Sequence, residues 1–159
     1  MSKQIKYVVS VVLKNHDGKF LVVKRPDNDP DLGGHWGLPS VSLENGELPE
    51  GGALRVVKEK LNCVAEVKEF YGMMYQKRNS YDIFLMDIEM LLVGDKQPSV
   101  AEATSTATVY VDQKWTKDPE DLRASADMGS CCSSIFLTHE GLLDRNDWID
   151  SLEGSTTVA

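Results

Sequence analysis

The chain has 159 residues, 42% hydrophobic and 26% charged, a composition that points to one globular domain and excludes a disordered chain. Its 17 Lys plus Arg against 25 Asp plus Glu give a formal charge of −8, which argues against a general nucleic-acid binder, whose phosphate contacts need a basic surface. The acid is unevenly spread, with net −2 over residues 1–111 and net −6 over residues 112–159, so a local pocket for a small phosphorylated ligand is compatible with the total.

Tyr7 to Leu13 is rich in Val and predicts a mostly buried first strand. Its apolar run is far short of the roughly 20 residues that span a bilayer, and no cleavage site follows, so a signal peptide is not expected. Asn15-His16-Asp17-Gly18 is a turn signal, and Lys19 to Lys24 reads as the hairpin partner. Alternation then sets Lys24 and Arg25 on opposite faces. Pro26 to Gly34, with two Pro, three Asp, one Asn and two Gly, is a loop.

The clearest helix runs from about Pro49 to Leu61. Pro49 suits a first turn, and Ala53, Leu54, Val57 and Leu61 recur at helical spacing, with Arg55, Glu59 and Lys60 on another side. Asn62 is a plausible stop. The start is weak: Leu48 has no capping oxygen, and Gly51 and Gly52 each cost roughly 1 kcal/mol relative to Ala. Further strands are expected within Val64–Met74, Tyr81–Leu92 and Ala107–Val111, and helices near Asp118–Ala126 and His139–Leu152. Residues 154–159 read as a frayed tail to a single domain over 1–153. Cys63 stands alone and Cys131 and Cys132 are adjacent, without a C-x-x-C pair, so neither a zinc site nor a disulfide framework is expected and a reducing cytoplasm is the default.

The segment Trp36 to Cys63 resembles the Nudix hydrolases, whose signature is G-x5-E-x7-R-E-U-x-E-E-x-G-U with U aliphatic. Trp36-Gly37-Leu38-Pro39 is similar to the family's W-x-L-P lead-in, and Glu44-Asn45-Gly46-Glu47 to its E-P-G-E turn. Glu47 falls on the first signature Glu, Arg55 on the Arg, and Glu59 on the first member of the E-E pair. The box departs from the signature at Val41 and Asn62, where Gly is usual, and at Val56 and Lys60, where the family has acids. Ser40 stands where another Gly commonly precedes the box.

The resemblance implies an α/β (α+β) fold, a Nudix-type α/β/α sandwich with a mixed sheet. It implies cleavage of the diphosphate linkage of a nucleoside diphosphate derivative (NDP-X) with a divalent metal, Mg2+ or Mn2+, held by carboxylates. Over Glu47, Arg55, Val56, Glu59 and Lys60 the charge is zero, where the family pattern sums to −3, so metal is expected to be weakly held and activity reduced. Glu59, Arg55, Glu47 and Lys60 are the catalytic candidates, and Glu59, Glu47 and Glu102 the metal candidates. Lys60 either contacts a substrate phosphate in place of lost metal charge or pairs with a neighbouring acid and marks a dead site. Arg25, Trp36, Arg78 and Tyr81 are the substrate candidates, Trp36 as a base-stacking ring and Tyr81 by a spacing similar to the dinucleoside-polyphosphate branch. Trp115 reads as a core anchor. The expected partners are a nucleotide and a second copy of the chain, with no nucleic acid and no membrane. The rival functions are an inactive nucleotide-binding or regulatory module that keeps the fold, and an interaction domain that uses the acidic C-terminal third.

Overall fold

The computed structural model describes residues 3–29, 32–105 and 109–148. The predicted tail, the end of the predicted last helix and part of the predicted strand Ala107–Val111 lie outside these residues.

Strand β1 (Gln4–Lys14) is the centre of the fold, and Val8 to Leu13 are buried on both of its faces. Such a run needs cover above and below. One long neighbour is β6 (Tyr81–Leu92), parallel to β1 in unbroken register from Gln4 with Tyr81 to Lys14 with Leu91. Strand β5 (Ala65–Lys77) closes that edge as a long antiparallel hairpin with β6. On the other side β1 splits its partners. β2 (Phe20–Lys24) meets it at Lys14 and Phe20, whereas β4 (Ser40–Ser42) pairs antiparallel with Val8 to Ser10. β3 (Trp36–Gly37) and β7 (Asp112–Thr116) flank β2. The divergence of β2 from β4 places Ser40 beside the middle of β1. Predicted strand Ala107–Val111 is shifted: Val111 only donates its N–H to the Lys24 carbonyl, and pairing begins at Asp112.

Alternation along β1 sends Val9, Val11 and Leu13 to one face and Val8, Ser10 and Val12 to the other. The first face packs against helix α1 (Pro49–Arg55) and its continuation through Val56–Lys60, by way of Ala53, Val56, Val57 and Leu61. The second packs against α3 (Cys131–His139) and Leu122, with Phe20 and Phe136 rings 4.6 Å apart. Helices thus cover both faces of a mixed sheet, the sandwich that the resemblance implied.

The predicted Pro49–Leu61 helix changes geometry half-way. From Val56 to Lys60 it adopts the wider i→i+5 turn, which rotates its last residues relative to a regular helix. Leu54, expected inward, is 49% exposed, while Lys60, expected on a polar face, is 2% exposed. Asn62 ends the turn in the left-handed region at φ 50°. Gly52 is required by close packing: a Cβ there would collide with the Leu43 side chain and lie 2.9 Å from Val9 Cγ1. Gly52→Ala is therefore expected to destabilise the protein by about 1–3 kcal/mol despite its better helix propensity, read as a lower urea midpoint.

The C-terminal helices differ most from expectation. Asp118–Ala126 forms a 3-10 turn at Pro119–Leu122 and then a short α2 (Arg123–Asp127). Helix α3 lies in a stretch for which no element was expected, and it ends at His139, the first residue of the predicted His139–Leu152 helix. Gly141, at φ 75°, closes a Schellman cap in which its N–H bonds the Thr138 carbonyl and the Leu142 N–H bonds the Leu137 carbonyl. Only a 3-10 turn, Arg145–Asp147, follows within the described residues. No helix among them is long and apolar enough to cross a membrane.

Candidate active site

The loop between β4 and α1 is locked onto the helix by one ion pair. Arg55 Nε and Nη2 donate to the two carboxylate oxygens of Glu47 at 3.0 and 2.9 Å, and Nη2 also reaches the Ser42 carbonyl at 2.9 Å. Glu47 Oε1 accepts the Glu44 N–H at 3.1 Å, and the Glu44 carboxylate stands 3.6 Å from Arg55 Nη1. Hydrogen bonding from Arg55 holds the Glu47 carboxyl below the usual carboxylate range. Both oxygens of Glu47 are thus occupied, as a structural clasp requires.

Behind the clasp, Lys60 turns into the protein. Its Nζ donates to the Ser40 carbonyl at 2.5 Å and lies 5.3 Å from the centre of the Tyr110 ring. Tyr110 is buried, accepts the Ser40 N–H on its hydroxyl at 2.9 Å, and also borders a narrow cleft with Arg25, Trp36, Ser130 and Cys132. Burial, and after it repulsion from Arg25 and Arg55, lowers the Lys60 ammonium to about 8; Glu59 opposes the shift. Lys60 has therefore taken neither a surface position nor a carboxylate partner. Glu59 is half-buried, and its carboxylate makes no hydrogen bond or ion pair with the described residues. Its backbone carbonyl accepts the N–H groups of Thr104 and Ser105, which pins the following loop to the helix end.

The three metal candidates do not converge. Glu47 is engaged by Arg55, and Glu102 accepts from Asn62 Nδ2 at 2.6 Å beyond the helix end. Val56 is fully buried in the core, so no acid replaces it on the site face. Among the described residues no three His, Cys, Asp or Glu side chains form a group that could hold a metal ion. A hard divalent cation needs several oxygen ligands, whereas here a single unengaged carboxylate stands next to an ammonium. These residues do not fit a divalent metal.

The substrate candidates are also divided. Arg25, directly after β2, and Trp36 border the cleft, with Arg25 Nη1 3.4 Å from Asp29. Lys24 and Lys114 ammonium groups lie 4.5 and 4.7 Å from the Trp36 ring centre and compete for the surface on which a base would stack. Arg78 and Tyr81 are drawn elsewhere, to the turn of the β5–β6 hairpin. Arg78 bonds the Tyr81 hydroxyl and the Gln76 side chain, and Tyr81 is a buried member of the second core. Trp115 packs against the first core, as an anchor does. Tyr110 and the Ser40 carbonyl had no signal in the sequence, because a contact 70 residues apart depends on how β4 and the segment before β7 meet.

Structures of other proteins share this architecture. The chain aligns with a MutT protein from Methanosarcina mazei at TM-score 0.68 and 17% identity, covering 89% of this chain and 96% of that one. A NUDIX hydrolase from Nitrosomonas europaea aligns at 0.66 and 16%, covering 87% and 89%. An Ap4A hydrolase from C. elegans aligns at 0.63 and 17%, covering 86% and 96%. No curated protein matches the chain. The NUDIX domain family model matches residues 5–123, which take in the clasp, the helix and the first cleft wall, and the chain belongs to that family.

Proposed function

We propose that this protein hydrolyses the diphosphate linkage of a nucleoside diphosphate derivative by attack of water on phosphorus. The observation that carries this is the charge arrangement behind the clasp: the unpaired Glu59 carboxylate set near the cations Arg55 and Lys60, with Arg25 on the cleft wall. Phosphoryl transfer asks a protein chiefly for positioning and for positive charge around the transferred group. Arg25 supplies charge toward the phosphates. Glu59 takes the proton of the attacking water as the new P–O bond forms, and the bridging P–O bond breaks with its electron pair leaving on the departing phosphate. Hydrolases of this family generally use divalent metals, but the residues of this chain do not fit one, and no step here depends on it.

The ligand class is set by its phosphates. The cleft, at about 20 Å3, is too small for a base without movement of its walls, and Tyr81 is in the core, so neither supports a dinucleoside polyphosphate over other derivatives. The test is a panel of nucleoside diphosphate sugars, dinucleoside polyphosphates and nucleoside triphosphates, each assayed with EDTA and with Mg2+. Turnover is expected for at least one compound and should fall by about 100-fold or more in Glu59→Gln. Saturable binding without any turnover would instead mark a nucleotide-binding module.

A further inference from the structure

The burial of Lys60 calls for a charge partner that the described residues do not provide. An ammonium removed from water is costly unless it is paired, and Lys60 Nζ has a neutral carbonyl, that of Ser40, and the face of an aromatic ring. The charges acting on it most strongly are Arg25 and Arg55, both of its own sign, against the opposing Glu59. An anion between Arg25 and Lys60 would relieve that repulsion. Tyr110 stands between the two: its ring centre lies 5.3 Å from the ammonium, and it borders the cleft with Arg25, which Lys60 does not line, so an anion would reach the ammonium by displacing that ring.

We propose that Lys60 is the resident cation of this site, and that its ammonium, rather than a divalent metal, supplies the positive charge facing the diphosphate of the ligand. The proposal rests on the reading of the site as a diphosphate binder and adds that binding is independent of metal. It explains two departures from the family signature at once. The same substitution that removes an acid brings in a tethered cation, and with Val56 in the core no carboxylate set among the described residues is left to hold a metal in competition. A lysine also acts as a point charge with three donors, of which the Ser40 carbonyl engages one, so donors remain for phosphate oxygens.

The experiment is calorimetric titration of inorganic pyrophosphate and of ADP into the full chain, first in EDTA and then with excess Mg2+. Wild type is expected to bind in EDTA with an affinity within about threefold of that in Mg2+, and Lys60→Met, checked for folding by circular dichroism, to lose at least about tenfold. Wild-type binding that requires Mg2+, or a folded Lys60→Met that binds pyrophosphate as tightly as wild type, overturns the proposal while leaving the diphosphate site in place. Absence of binding by wild type in both conditions overturns the diphosphate site itself.

Discussion

Replacing Asp87 with valine is expected to make the protein more stable, and by a larger margin at pH 7 than at pH 5. Asp87 is fully buried on β6, opposite Ser10 on β1 and Gly72 on β5, and among the described residues neither carboxyl oxygen has a hydrogen-bond partner, nor does Ser10 Oγ. An unsatisfied buried polar group costs about 1–3 kcal/mol, and valine suits a strand position whose neighbour Gly72 has no side chain to collide with. Burial, reinforced by Cys132 on α3, pushes the Asp87 carboxyl well above the usual range, and Cys131 beside it is likewise raised by burial, to about 12. The folded protein therefore keeps a proton that the unfolded chain sheds above about pH 3.9. Across that interval each pH unit lowers stability by about 1.4 kcal/mol, the sign opposite to that of a salt-bridged acid. Urea unfolding of both proteins at pH 5 and pH 7 checks this, with a gap that is wider at pH 7. A variant no more stable than wild type, or a gap independent of pH, would sink the argument.

The parts of this fold that were legible in the sequence are those in which local pattern and tertiary burial agree. Strand β6 occupies the predicted Tyr81–Leu92, a long apolar run broken only by Asp82, Asp87 and Glu89 that is buried in the sheet. Glu47 and Arg55 were legible as two positions of the family motif that the segment resembles. Helix α3 was not: Cys131-Cys132-Ser133-Ser134 has low helix propensity, and a helix buried from Cys131 to Leu137 has no polar face to reveal its period. Its existence is a tertiary matter, settled by the Ser130 side chain accepting the Ser133 N–H and by packing of Ile135 and Phe136 on the sheet. Lys60 was misplaced because its charge was read in place of its position. It stands four residues after Val56 and seven after Ala53, so helical spacing already sets it on the buried face with them. Of the residues expected to coordinate metal, Glu47 is paired with the Arg55 cation and Glu102 is hydrogen-bonded by the neutral Asn62 amide, contacts that only the folded chain makes, while Glu59 is left unengaged.

The clasp itself should couple strongly. Arg55→Ala removes two bonds to Glu47 and one to the Ser42 carbonyl, and leaves a carboxylate whose side chain is only 17% exposed without its cation. A loss of about 2–3 kcal/mol is expected, less than a fully buried pair would show, since both partners retain some solvent. Glu47→Ala alone should cost less, because Arg55 keeps the Ser42 carbonyl and has Glu44 3.6 Å away. The double variant is then expected to fall short of the sum by about 1–2 kcal/mol in a double-mutant cycle measured by urea unfolding. Arg55→Lys retains the charge but not the planar fork, so it should recover less than half of the loss. The pH sign follows from Glu47: its folded value is lowered, so the coupling is present above the unfolded value of about 4.3 and fades as pH falls through the lowered one. Strictly additive losses at pH 7 would mean that the two side chains are merely adjacent. A coupling that persists unchanged at pH 2 would mean that charge is not what joins them.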